Sequence, residues 1–159
     1  MATVAQIRER LHVLCAAIPG IEEAILAYDD PAYPLGQHRL PLILVFRPGR
    51  ATHTRDSYGS TLTTRRWLIW AIIAELGDSP TPEQKQAAEE LCDPFLDSIP
   101  QFFHRYPELQ LEGTDEGIAL SVSINDDGTR EYQRAGKRYA GIPYPLDITT
   151  TTQIWSELT

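Results

Sequence analysis

The acidic doublets Glu22-Glu23, Asp29-Asp30, Glu89-Glu90, Asp115-Glu116 and Asp126-Asp127 are the most obvious source of catalytic carboxylates in this chain. A working pair must converge on one substrate atom, whereas adjacent residues point apart on helices and strands alike, so the doublets read as solvated surface. The histidines His12, His38, His53 and His104 are scattered, and His12 with Cys15 has the helical spacing that could seat a metal. That site would need two further ligands from elsewhere, and ordinary packing explains the pair without them. Gly59-Ser60 lacks the following glycine of a nucleophile elbow, and Gly136-Lys137 is followed by Arg138 where a phosphate loop needs Ser or Thr. Trp67 and Trp70 could stack on a base or a sugar, but within the apolar run Trp67 to Ala74 they read as core. No catalytic residue, metal site or cofactor site is expected.

Charge distribution carries more information. The chain has a formal charge of −8, which disfavours a surface wrapped by nucleic acid and favours solubility. Residues 39–66 hold six arginines against Asp56 alone, a local balance of +5, whereas residues 67–127 reach −11. Residues 128–138 add four basic side chains against Glu131. Two cationic segments thus flank an anionic middle, a pattern suited to head-to-tail association of identical subunits; the plainer reading is two solvated loops.

The elements that position these groups follow from periodicity and caps. Thr3 is the expected N-cap of a helix with Val4, Ile7, Leu11, Leu14, Cys15 and Ile18 on one face, ended by Pro19-Gly20. Ile21 to Tyr28 reads as a short strand, followed by a loop with Pro31, Pro34 and Gly36, and Leu42 to Arg47 as a central strand. Pro48 to Ser60 is expected to be a long polar loop with Tyr58 as its apolar anchor. Thr61 to Leu76 is expected to be a long strand, half exposed at its start and buried on both faces later. Thr81-Pro82-Glu83-Gln84 starts a helix whose apolar face includes Ala88, Leu91, Cys92, Phe95, Ile99, Phe102 and Phe103. Pro94 and Pro100 lack the amide proton a helix needs, so two consecutive pieces are expected. Ile118, Leu120, Val122 and Ile124 predict a strand with one buried face, and Asn125 to Gly128 a turn. In the last strand Pro143 and Pro145 predict an edge position, and Thr149 to Thr152 continue it.

This order predicts an α+β fold: a mostly antiparallel sheet with an N-terminal helix and a kinked central helix packed on one face. The 159 residues suit a single domain over 1–159, and 42% hydrophobic residues supply a core. Cys15 and Cys92 read as small buried side chains, not a disulfide. No targeting signal is expected at the N-terminus, and no apolar run is long enough for a membrane span, so no membrane role is expected.

The pattern resembles the tail terminator (tail completion) proteins of long-tailed bacteriophages. The matching features are the helix closed by Ile18-Pro19-Gly20, the strand Leu40 to Phe46, the long polar loop, Arg65-Arg66-Trp67-Leu68-Ile69, the capped helix, and Tyr139-Ala140-Gly141-Ile142-Pro143-Tyr144-Pro145-Leu146-Asp147-Ile148-Thr149. The resemblance implies a structural virion protein without enzymatic activity, assembled in the host cytoplasm. It would form a ring, expected to be a homohexamer, on the head-proximal end of the tail tube, end tube polymerisation and present the head-attachment surface. Its partners would be further copies of itself, the tube protein and a connector or neck protein, with DNA passing through an acidic lumen without specific binding. On this reading Arg47, Arg50, Arg55, Tyr58, Arg65, Arg134, Lys137 and Arg138 are expected at a subunit or tube interface. The alternatives are a head-to-tail connector or neck subunit and, from a different class, a small α+β hydrolase or ligand-binding enzyme.

Overall fold

The computed structural model describes residues 2–27, 39–55, 59–111, 117–134 and 136–153. Asp29-Asp30, His38, Tyr58, Asp115-Glu116 and the loop with Pro31, Pro34 and Gly36 therefore lie outside the described residues. The elements are α1 (Val4–Ala16), β1 (Glu23–Leu26), β2 (Leu42–Val45), β3 (Ala51–Arg55), β4 (Ser60–Leu76), α2 (Pro82–Arg105), β5 (Ser121–Ile124), β6 (Arg130–Arg134) and β7 (Lys137–Gln153). The fold is α+β. Among the described residues seven strands form one sheet in the order β1-β2-β4-β7-β5, with β3 also on β4 and β6 also on β7. Only the β1 and β2 pair within it is parallel.

Both helices begin as their sequences dictate. Thr3 accepts a hydrogen bond from the Gln6 amide at 3.2 Å while the Gln6 side chain accepts from the Thr3 amide at 2.8 Å, and Thr81 with Gln84 repeats this box at 3.2 and 2.9 Å. Ile7, Leu11, Leu14 and Cys15 of α1, with Ile18, pack on the same face of the sheet as Ala88, Cys92, Ile99, Phe102 and Phe103 of α2. That face is supplied by alternate residues: Ile43 and Val45 from β2, Trp67, Ile69 and Ala71 from β4, and Ile142, Tyr144, Leu146 and Ile148 from β7. The opposite face carries a second cluster built on Leu42, Leu44, Ile72 and Tyr139, with the rings of Trp70 and Tyr132 tilted against each other at a centroid distance of 5.1 Å. Leu42 to Val45 are consequently buried on both sides.

The apolar run of β4 contains a bulge. The register with β7 shifts between Ile72 and Ala74, and the extra residue lets Ile73, Ala74 and Leu76 all reach the helix-side core. Gly141 stands opposite Ile72, and a Cβ at Gly141 would collide with the carbonyl oxygen of Ala71. The strand backbones meet here more closely than a side chain allows.

Several expectations need correction. Pro48 to Ser60 is not wholly a loop, because Ala51–Arg55 pairs antiparallel with Arg65 to Thr61 of β4. The strand is almost entirely exposed, so its backbone hydrogen bonds are not announced by any apolar alternation. Pro94 and Pro100 do not divide α2, which runs unbroken for 24 residues. Pro94 and Pro100 each leave one carbonyl a turn earlier without its helical donor, while the buried residues on either side hold the helix axis on the sheet. Between the two prolines the Phe95 carbonyl receives the Tyr144 hydroxyl of β7, a side-chain tie from sheet to helix.

The closing strand is central, not an edge. β7 runs beside β4 from Arg138 to Gln153 and carries β5 and β6 on its other side. The prolines survive there because residues 142, 144 and 146 bond toward β4, so Pro143 and Pro145 face the other way. On that side they meet the gap between β5 and β6, where their carbonyls accept the Asp127 and Asn125 amides and no amide of their own is required. Finally, β5 begins only at Ser121, so Ala119 is buried and Leu120 is 51% exposed, the reverse of the expected alternation. The turn before this strand is set by the Ile118 and Ala119 amides, which both donate to the Glu108 carbonyl.

Replacing Gly141 with Ala is expected to lower unfolding free energy by about 1–3 kcal/mol through overpacking against Ala71. Gly77→Ala, where a Cβ meets nothing within 4 Å, is expected to stay within about 0.5 kcal/mol of wild type. Urea denaturation of both variants checks this, and equal midpoints would show that the β4–β7 backbone yields at Gly141.

Candidate interaction surfaces

The structure sorts the expected interface residues into two groups at opposite ends of the β4–β7 ribbon. Arg47 follows β2, Arg50 precedes β3, Arg55 ends β3 and Arg65 lies in β4. Arg134 ends β6, and Lys137 and Arg138 start β7, where Arg138 pairs with Leu76. From Arg65 to Leu76 the strand spans on the order of 35 Å, so the two groups do not share one surface. In the second group Lys137 approaches Glu75 at 3.8 Å and Arg138 approaches Glu131 at 3.1 Å. These pairs offset part of the charge locally. Tyr58 lies outside the described residues.

Arg66, which is not among the expected interface residues, makes a two-point contact with a carboxylate. Its Nε and a terminal nitrogen donate to the two carboxylate oxygens of Asp147 at 3.2 and 3.3 Å. The hydrogen bond and then the charge of Asp147 raise the Arg66 guanidinium above its usual range. Both side chains remain accessible, so the pair orients the guanidinium more than it stabilises the fold. Arg65 and Arg66 alternate, and only the second points away from the helices. There it borders an open groove of about 490 Å³ with Arg50, Thr52, Thr64 and Asp147. The Thr64 and Thr149 hydroxyls are bonded to each other at 2.8 Å in the same part of the sheet. No signal in one sequence links Arg66 to a carboxylate 81 positions away.

On the helix side Arg65, His53, Thr63, Thr150 and Trp67 line a cavity of about 130 Å³ under the start of α1. His53 Nδ1 lies 3.0 Å from the Thr63 hydroxyl, and the buried Trp67 Nε1 has no hydrogen-bond partner among the described residues. A larger concavity, about 830 Å³, lies between α1 and residues 117–120, with Gln6, Arg10, Val13, Leu111 and Leu120 on its walls. Two of its polar groups are engaged in the framework: Gln6 closes the cap of α1, and Arg10 donates at 2.6 Å to the carbonyl of Leu109, a buried residue at φ 55°.

The candidate reactive groups are likewise held in the framework. His12 Nε2 lies 2.8 Å from the Ala24 carbonyl and so donates to it, joining α1 to β1. Among the described residues no group of three or more His, Cys, Asp or Glu is placed to hold a metal ion. Cys15 and Cys92 are free thiols with no exposed surface. Burial pushes the Cys15 thiol up strongly; it pushes Cys92 up to about 11, with Asp93 and Glu89 adding to the effect. A nucleophile needs the thiolate, and these sites disfavour it. Tyr144 is raised by burial first and by nearby carboxylates second. Among the described residues no helix is long and apolar enough to cross a membrane.

No protein-family model and no curated protein sequence matches this chain.

The raised groups have a consequence for stability. Above pH 9 the unfolded chain releases the two thiol protons while the folded chain keeps them, so stability falls as pH rises. Each group contributes about 1.4 kcal/mol per pH unit, Cys92 ceasing to add above about 11, and Tyr144 joining above its ordinary value of 10.0. Urea midpoints under reducing conditions are expected to be flat from pH 7 to 8.5 and to drop by pH 10.5, less steeply in Cys15→Val. A flat profile to pH 10.5 would place water at the thiols.

Proposed function

We propose that this chain is a tail terminator protein of a long-tailed bacteriophage: a subunit that assembles into a ring, in the resembling family's manner a hexamer, on the head-proximal end of the tail tube. The ring ends tube polymerisation and offers the surface on which the head docks. Its partners are other copies of the chain, the tube protein and a connector or neck protein, and its role is structural. The reading rests on the resemblance of the element order and closing segment, and it is supported by one observation above all. Charge is segregated across the fold, with Arg47, Arg50 and Arg55 exposed around β2 and β3 and Glu83, Glu89, Glu90, Asp93 and Asp97 exposed on α2. A subunit that carries unlike charge on separate elements is suited to meet its own copies in one orientation.

The acidic balance of the chain also suits a channel through which DNA slides without adhering, since like charge repels phosphate. The structural role is also supported by Gln6 and Arg10, engaged in the framework beside the concavity of about 830 Å³, and by the burial of both thiols.

The test is polymerisation of the cognate tube protein with and without the purified chain, followed by negative-stain electron microscopy. Tubes of limited length bearing a ring at one end are expected. Tubes of unchanged length, with no added density at either end, would overturn the proposal.

A further inference from the structure

The groove bordered by Arg50 and Arg66 invites a specific occupant. It is lined by Thr52 and Thr64 and by Arg50, Arg66 and Asp147 on the helix-free face of the sheet, with Arg66 on the central strand between Arg50 on the β3 side and Asp147 on β7. Guanidinium forks and hydroxyl donors recognise carboxylates, and Arg50 makes no ion pair among the described residues. Asp147 argues against a polyphosphate backbone in the same place, because its charge would face the phosphates.

The complementary surface is on the same chain. Glu83, Glu90, Asp93 and Asp97 recur along α2 at spacings of seven, three and four, which places them on one stripe. The stripe faces away from the sheet, since Ala88, Cys92, Ile99, Phe102 and Phe103 take the opposite side of the helix. None of the four forms an ion pair among the described residues; Glu90 accepts a hydrogen bond from Gln86 at 3.3 Å. Carboxylates three and four residues apart on a helix repel one another, and a cationic partner reverses that cost.

We infer that the arginine groove of one subunit receives the acidic stripe of α2 from a second copy of this chain. The two surfaces lie on opposite sides of the subunit, one on the helix-free face and one on the outer side of the helix layer. A two-fold dimer would have to bring both surfaces together twice, which opposite sides forbid. The contact is therefore head-to-tail, repeats from copy to copy, and closes as a ring or continues as a filament. The inference rests on the self-association in the proposed function and names its surfaces; it needs no other tail component.

Sedimentation velocity on the purified chain across concentration and salt tests it. Wild type is expected to self-associate more strongly at low salt. Arg50→Glu with Arg66→Glu is expected to weaken association roughly tenfold or more, and Glu90→Arg with Asp93→Arg to do the same, each with unchanged circular dichroism. An equimolar mixture of the two variants is expected to recover association with both variants alternating in the assembly, since the reversed groove of one meets the reversed stripe of the other and their unaltered stripe and groove also match. Association indifferent to both variants, or no recovery on mixing, overturns the inference even if tubes are capped. Failure to cap tubes with the charge-reversal pattern intact overturns the function and leaves the interface. Salt-sensitive binding of duplex DNA by wild type that Arg50→Glu with Arg66→Glu loses would assign the groove to phosphate and overturn the inference.

Discussion

The antiparallel pairing of β4 with β7 is the constraint on which the other parts rest. Two strands of 17 residues lie side by side from Ser60 opposite Gln153 to Leu76 opposite Arg138. Every other strand except β1 joins one of these two, and both helices lie on the face they create. The backbone groups of such a ribbon cannot be satisfied locally, so burial of Trp67, Ile69, Tyr144 and Leu146 and completion of the hydrogen-bond ladder must occur together. The bulge at Ile73 and the close approach at Gly141 are how the ribbon turns three consecutive apolar positions toward two cores.

That ribbon also decides where charge can sit. Its first half extends beyond β2 and is flanked by β3, and on the helix-free side it carries Ser60, Thr64 and Arg66 along with Leu62 and Leu68. Arginines placed there are far from the acidic outer face of α2, which is held on the other face by its buried stripe. Segregation of charge thus follows from topology: one sheet separates two surfaces that the chain could not otherwise keep apart. The Arg66–Asp147 pair fixes the direction of one guanidinium without removing it from solvent.

Buried polar chemistry serves architecture in the remaining places. His12, Arg10 and Tyr144 each donate to a backbone carbonyl, of Ala24, Leu109 and Phe95 respectively. These bonds tie α1 to β1, α1 to the segment after α2, and β7 to α2. Each of these side chains is thereby held by a backbone carbonyl of a neighbouring element.

What the sequence alone determined was local. The caps of α1 and α2 were legible because Thr3 with Gln6 and Thr81 with Gln84 complete their bonds within three residues, and the long β4 was legible from its threonines and apolar run. The burial of Trp67, Cys15 and Cys92 followed from periodicity. Tertiary structure decided the position of β7, since whether a proline breaks a ladder depends on which neighbour its nitrogen faces, and that neighbour is a segment before the strand, not in it. It decided that exposed β3 is a strand, because β4 supplies the hydrogen bonds that no apolar pattern could signal. It also selected Arg66 over Arg65 for the groove: alternation sends adjacent residues to opposite faces, and only the fold says which face the helices cover.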